Sequence, residues 1–430
     1  MLLRFGVSNF CSIHHPIEIS FVASRAIKDR GPQLFEYAPK RDALPVLLLY
    51  GANASGKTTL FKALISMRNH VLNSFAKRAP SDAIKHTPFA LNEIAAKEPT
   101  RLECDFLLDG IRYHYGFEYD AVRYRKEWLY SYPEGQPRLL YERDSGNIDG
   151  ISFGKNLRGQ NRVIESFTRP NSLFLSTAAQ NAHPHLSEVY RFFAEKLFFV
   201  SSSFSVQNTV RGLKGDLDPR IVSFLRMADT GITGARIQKV EPKQIEMLLY
   251  KDLSKALLPH LNNMIAGEVV MPDSPTPSQQ LSLGHMTQSG EPVYLDFDTE
   301  SRGTVRLITL LRMALQAIDT GGTLVVDELD VSLHTLLARE FVALFSRRET
   351  NPMGAQLLAT THDTNVLSSS YVRRDQVWFA EKASTGETAV YPLTDVRTRA
   401  GDNYEKAYLA GRYGAVPYLG DLGSEWDRDD

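Results

Sequence analysis

The chain has 430 residues, of which 43% are hydrophobic and 23% charged, and a formal net charge of -1. That length exceeds what one small hydrophobic core serves, so two or three lobes are expected. The composition excludes a disordered or fibrous chain, and the balanced charge excludes a globally basic nucleic-acid coat while leaving room for a local basic patch.

Residues 2–10 and 17–23 read as two short strands. Leu3, Phe5 and Val7 alternate with Arg4, Gly6 and Ser8, and Ile17, Ile19 and Phe21 alternate with Glu18 and Ser20. His14-His15-Pro16 is the turn between them, and the polar stretch 24–43 reads as a loop. Residues 45–50 are a continuous apolar run, as in a strand buried on both faces. After a glycine-rich turn, Leu60, Leu64, Met67, Val71 and Phe75 recur at helical spacing. Residues 100–142, rich in Tyr, Phe, Val and Leu, predict antiparallel strands punctuated at Gly110 and Gly116. From about 165 to 270 the pattern is mostly helical, with helices expected at Ser187–Phe199, Asp218–Ala228 and Gln244–Ile265 and a loop at Pro272–Pro277. A strand at 292–298, a helix over 303–318, a buried strand at 323–326, a helix over 333–346 and a third buried strand at 355–360 complete the reading.

Gly51-Ala-Asn53-Ala-Ser55-Gly56-Lys57-Thr58 matches G-x-x-x-x-G-K-[ST] at every fixed position, between a buried strand and an amphipathic helix. Glycines let the main chain wrap a triphosphate with its N–H groups, and the helix start adds a positive dipole end. Lys57 then reaches the terminal phosphates, Thr58 offers its hydroxyl to Mg²⁺, and Thr59 lies in the same first turn. Thr323-Leu-Val-Val-Asp327-Glu328 has the form of a Walker B strand, with Asp327 for the Mg²⁺ shell and Glu328 as general base toward water. No Asn-Lys-x-Asp element for guanine occurs, so the expected ligands are ATP and Mg²⁺.

Walker A and Walker B lie about 270 residues apart, which suggests an inserted lobe. Between them, Glu300-Ser301-Arg302-Gly303-Thr304 resembles the signature motif of ABC-type ATPase heads, in its non-transporter form. Asp330 resembles the D-loop, Thr361-His362-Asp363 the switch-histidine loop, and Val7-Ser-Asn-Phe10 the first strand of RecF-like and SMC-like heads. The whole chain resembles bacterial AAA-family ATP-binding proteins related to the OLD, RecF and SMC heads, several of which accompany phage-defence genes, and residues 401–418 resemble that family's closing segment.

The resemblance implies an α/β P-loop NTPase of the ABC-ATPase head type, with an antiparallel β-lobe and a helical insertion. The expected organisation is an N-terminal ATPase lobe at 1–165, a mainly helical insertion at 166–275, a C-terminal ATPase lobe at 276–400 and a tail at 401–430. It also implies a homodimer or higher homo-oligomer, with ATP on Lys57 and Thr58 of one copy, covered by Ser301 and Gly303 of the other and contacted by His362. Such a dimer would hydrolyse ATP, slowly, and control a separately encoded effector, plausibly a nuclease toxin. The alternative is a repair-type ATPase that clamps DNA, and a transporter subunit ranks last because the fuller Leu-Ser-Gly-Gly-Gln signature is missing.

Plainer readings stand beside these roles. Ser301 and Gly303 could be a helix N-cap, His362 a strand-end histidine, Asp330 a helix cap, and Asn9 and Phe10 packing residues. The glutamine usual after the first helix is missing, and Asn92 and Glu93 are its candidate substitutes. Asp216, Asp218, Asp296 and Asp298 form acidic doublets without further metal spacing. Arg123-Tyr-Arg-Lys126 with Trp128, and Lys155 with Arg158 and Arg162, could touch nucleic acid or simply be solvated. Cys11 and Cys104 read as reduced thiols, and with no signal-peptide layout and no span of roughly 20 apolar residues a cytoplasmic location is expected.

Overall fold

The computed structural model describes residues 1–27, 32–146, 150–201, 217–240, 278–369, 371–398 and 402–417. The expected helix Gln244–Ile265, the loop Pro272–Pro277, Asp216 and parts of 24–43 and 401–418 lie outside the described residues. The chain divides into two compact units, Met1–Ser202 with Met313–Asp430, and Ser203–Arg312.

The first unit holds two large sheets. One is wholly antiparallel, formed by β1 (Leu2–Ser8), β2 (Ile17–Ser20), β6 (Thr100–Leu108), β7 (Ile111–Tyr119), β8 (Tyr124–Tyr132), β9 (Arg138–Asp144) and β10 (Ile151–Phe153), in the order β10-β9-β8-β7-β6-β1-β2. The turn at Gly110 lies where the sequence predicts it, between β6 and β7. Gly116 instead lies within β7 opposite Trp128, because a β-carbon there would stand 2.7 Å from the indole Cε2. The glycine makes room for a large ring rather than breaking the strand.

The other sheet carries β5 (Val46–Tyr50), β11 (Leu197–Val200), β15 (Thr323–Val326), β16 (Gln356–Thr360), β17 (Val377–Lys382) and β18 (Thr388–Pro392), in the order β11-β15-β16-β5-β17-β18. All neighbours are parallel except the last pair. β5, β15 and β16 are buried at every position, so β5 reads as an unbroken apolar run and the other two as apolar but for Thr323, Gln356 and Thr360. The helix α1 (Lys57–Asn73) buries Leu60, Leu64, Met67 and Val71, as its spacing predicts, while Phe75 lies beyond its end. Two short helices, α2 (Asn161–Phe167) and α3 (Phe174–Gln180), precede α4 (Leu186–Glu195). The expected helix Ser187–Phe199 therefore stops early. Its last residues form β11, where Leu197-Phe-Phe-Val pairs with β15 and tertiary pairing overrides the helical spacing. The stretch 24–43 is not all loop, because β3 (Phe35–Ala38) and β4 (Arg41–Ala43) form a hairpin.

The second unit contains α5 (Pro219–Met227), capped by Asp218, and a three-stranded antiparallel sheet of β12 (Ile232–Val240), β13 (Ser278–Met286) and β14 (Pro292–Asp296). β12 lies in a region whose sequence reads as mostly helical, and β13 follows the expected loop in a stretch to which the sequence assigns no element. The helix α6 (Arg302–Thr320) begins in this unit, and α7 (Thr335–Ser346) follows β15 in the first. No helix among the described residues is long and apolar enough to cross a membrane.

Candidate nucleotide site

The parallel sheet puts the two Walker elements side by side. β5 runs into the glycine-rich loop and α1, and β15 ends at Asp327, with β16 alone between them. Both elements thus open at the carboxyl ends of parallel strands, where such sheets bind ligands. Asp327 Oδ1 accepts hydrogen bonds from Thr58 Oγ1 at 3.3 Å and from Thr360 Oγ1 at 2.8 Å. Thr360 Oγ1 also accepts from the Glu328 N–H at 2.7 Å. Glu328 has φ 56, a left-handed conformation that a non-glycine residue adopts only at a cost of about 1–3 kcal/mol.

The loop fits a triphosphate on observations of its own. A β-carbon at Gly51 would stand 2.6 Å from Ser55 Oγ, and one at Gly56 would stand 2.6 Å from Thr388 Cγ2, so only glycine permits this cradle. Gly56 is also the N-cap of α1 with φ 105. Ser55 Oγ is buried without a hydrogen-bond partner among the described residues. Lys57 Nζ donates to Gly51 O at 2.8 Å and to Ala52 O at 2.9 Å. Burial lowers its pKa, opposed by the charges of Asp327, Asp330 and Glu328. Asn53 is exposed and Thr59 half-buried.

His362 stands on the loop after β16, and its N–H donates to Asp330 Oδ1 at 3.0 Å. Burial lowers the imidazole pKa, and the nearby Lys57 charge lowers it further, against the pull of Asp330 and Glu328. Asp330 thus bonds this loop through its side chain, and the N-cap of α7 is His334, which accepts from Leu336 N. The closing segment packs nearby. Its helix α8 (Tyr404–Leu409) lays Tyr408 against Phe379, ring centroids 5.3 Å apart, and against Tyr50 at 5.8 Å.

Ser301 and Gly303 lie in the second unit. Ser301 Oγ accepts from Thr304 N at 3.1 Å, so it serves as the N-cap of α6, and it is exposed. Asn9 is a clamp: its side chain bonds Ala95 O and Glu98 O at 2.8 Å and accepts from Phe89 N at 2.9 Å. Asn92 Oδ1 accepts from Ile94 N and Ala95 N, capping the 3-10 turn Ala95–Lys97, and Glu93 is exposed.

Three residues of the site escape the sequence reading. Thr360 joins the two halves, while Ser12 and Thr388 brace the loop from behind. Thr388 Oγ1 donates to Ser55 O at 3.1 Å, and Ser12 Oγ shares hydrogen bonds with Thr388 Oγ1 at 2.8 Å and Thr59 Oγ1 at 3.1 Å. Ser12 follows the Asn9-Phe10 pair and could have been suspected from it, but Thr388 carries no local signal.

The candidate basic clusters are neutralised in part. Arg125 pairs with Asp120, Lys126 with Glu118 and Arg162 with Glu165. Trp128 is buried beneath the Arg101 guanidinium, so its ring is not offered to a base. Of the acidic doublets, Asp218 caps α5, and Asp296 and Asp298 are exposed beside the buried Phe297.

A phosphate loop, an adjoining acidic strand end and a mostly parallel sheet that carries both define a P-loop nucleoside-triphosphatase fold. The family profile described as "AAA domain, putative AbiEii toxin, Type IV TA system" matches residues 46–368, and the chain belongs to that family. The expected resemblance to AAA-family ATP-binding proteins thus holds. The chain is similar in structure to the SMC head domain from Thermotoga maritima, with 13% identity over 91% of this chain and 98% of that one and a TM-score of 0.40. It is also similar to cbiO1 from Clostridium perfringens, part of the ABC transporter complex cbiONQ, with 10% identity over 92% and 90% and a TM-score of 0.31. No curated protein matches.

Proposed function

We propose that this protein hydrolyses ATP in an ATP-dependent homodimer or higher homo-oligomer and, through that closure, controls a separately encoded effector of the nuclease-toxin kind in anti-phage defence. The observation that carries the reading is the bond from Thr58 to Asp327 at 3.3 Å, which joins the phosphate loop to the acidic strand end. Lys57 and the loop N–H groups hold the β- and γ-phosphates. Mg²⁺, held by Thr58 and Asp327, would neutralise phosphate charge. Glu328 polarises the attacking water, and His362 hydrogen-bonds the γ-phosphate. Ser301 and Gly303 of the partner subunit cover the nucleotide; the exposure of Ser301 supports that use. The effector role draws its support from the family description, which names a toxin and a type IV toxin–antitoxin system.

Two variants test it. Lys57→Ala is expected to lose ATP binding in a titration with a fluorescent analogue, and retained affinity would refute the phosphate-loop assignment. Glu328→Gln is expected to elute as an ATP-bound dimer in size-exclusion chromatography, and an ATP-independent profile would refute the shared site. ATP-dependent DNA affinity that falls steeply with salt would point instead to the DNA-clamping alternative.

A further inference from the structure

A second cluster of metal-binding side chains lies behind the phosphate loop, on the side of its brace. The turn between β1 and β2 carries His14 and His15, and the turn between β17 and β18 carries Glu387. His14 Nδ1 and Glu387 Oε1 are 2.8 Å apart, and the ligand atoms of all three side chains lie within 4.8 Å of one another. Their backbones are fixed from several directions. Asn9 N–H donates to His14 O at 3.1 Å, Ala383 N–H donates to Glu387 O at 2.8 Å, and Thr388 N–H donates to Ser12 O at 2.8 Å. His14 is stacked on Phe89, centroids 5.0 Å apart, and on His15 at 4.2 Å.

We propose that His14, His15 and Glu387 bind one divalent transition-metal ion of the zinc class. Zinc binds imidazole nitrogen and carboxylate oxygen at about 2.0–2.2 Å, so two ligands at the tetrahedral angle stand about 3.3–3.6 Å apart. The three ligand atoms, all within 4.8 Å of one another, reach that spacing by rotation of the exposed His15 side chain. Two imidazoles with one carboxylate suit zinc and its neighbours, whereas Mg²⁺ and Ca²⁺ require oxygen sets. Water takes the fourth position, so the ion serves as a staple rather than a closed structural core. It ties the β1–β2 turn to the β17–β18 turn, the two segments that supply Ser12 and Thr388 to the loop's brace.

The test uses the untagged full-length chain, titrated with Zn²⁺ by calorimetry and with Co²⁺ by visible absorption. One saturable site per chain is expected, with Mg²⁺ unable to compete. His15→Ala and Glu387→Gln should each weaken Zn²⁺ at least about tenfold, while their metal-free melting temperatures stay at the wild-type value. Zn²⁺ should raise the melting temperature of the wild type and not of His15→Ala. Zinc affinity unchanged in both variants, or no stoichiometric site in the wild type, overturns the proposal and leaves His14 and Glu387 as a hydrogen-bonded pair alone.

Discussion

Replacing Gly56 with alanine probes the cradle most directly. Gly56 has φ 105, so any side chain there is strained by about 1–3 kcal/mol. The added methyl would also stand 2.6 Å from Thr388 Cγ2 and 2.8 Å from Thr388 Cβ, an overpacking of a further ~1–3 kcal/mol. If only about 2 kcal/mol of this falls on the phosphate-binding conformation, ATP affinity drops roughly 30-fold. The second substitution, Thr388→Ala, removes Cγ2 and Oγ1 but keeps Cβ. It relieves part of the overlap, cannot relieve the backbone strain, and gives up the bond to Ser55 O, worth about 1 kcal/mol. The double variant should therefore recover only part of the affinity. Titration with a fluorescent ATP analogue, with thermal unfolding in parallel, measures both terms. A Gly56→Ala protein that binds ATP within about twofold of wild type and melts at the same temperature would refute the reasoning.

Thr360→Val removes one of the donors to Asp327, which keeps the bond from Thr58, and the acceptor of the Glu328 N–H, at a cost of about 1–3 kcal/mol. Phosphate release should slow at least about tenfold with ATP binding largely kept, and an unchanged rate would remove Thr360 from the site. Burial, aided by Arg78 and His86, holds His70 at a pKa of about 3, and its Nδ1 lies 2.6 Å from Tyr124 Oη. The unfolded chain takes up that proton near pH 6.5 and the folded chain does not, so stability present above pH 6.5 is lost as pH falls toward 3. Between pH 6.5 and 4.5 the loss is roughly 2–3 kcal/mol, and His70→Gln should flatten urea-unfolding stability over that window by nearly one proton. Glu127 is buried and accepts from Tyr115 Oη, Tyr141 Oη, Phe174 N and Leu175 N, and burial raises its pKa against the pull of those donors and Arg143. Glu127→Ala strands four donors and should cost more than about 3 kcal/mol in urea unfolding; a cost under about 1 kcal/mol would show that the donors find other partners.

Sequence reading succeeds here wherever a segment's own pattern sets its structure. The buried strands β5, β15 and β16 are dominated by apolar residues because both faces are covered, and the phosphate loop is specified by glycines at fixed spacing. It fails where a distant partner decides. Leu197-Phe-Phe-Val extends a helical pattern yet becomes a strand because β15 offers an open edge. Gly116 looks like a turn because the indole it accommodates belongs to the next strand. Thr388 lies 333 residues from the carbonyl it holds, and no window on either segment contains both. The assignment of Ser301 is the instructive middle case: its position capping α6 agrees with the plain reading and leaves its hydroxyl on the surface that the nucleotide role requires.

The strand order of the parallel sheet also bears on how the chain is made. β5 emerges early from the ribosome, but both of its neighbours, β16 and β17, belong to the last third of the polypeptide. At roughly 5–20 residues per second, this apolar strand waits on the order of 15–60 s for its first mate. Throughout that interval the nascent chain presents a sticky, half-built sheet, so its yield in the cell should depend on holdase chaperones and on translation speed between these segments.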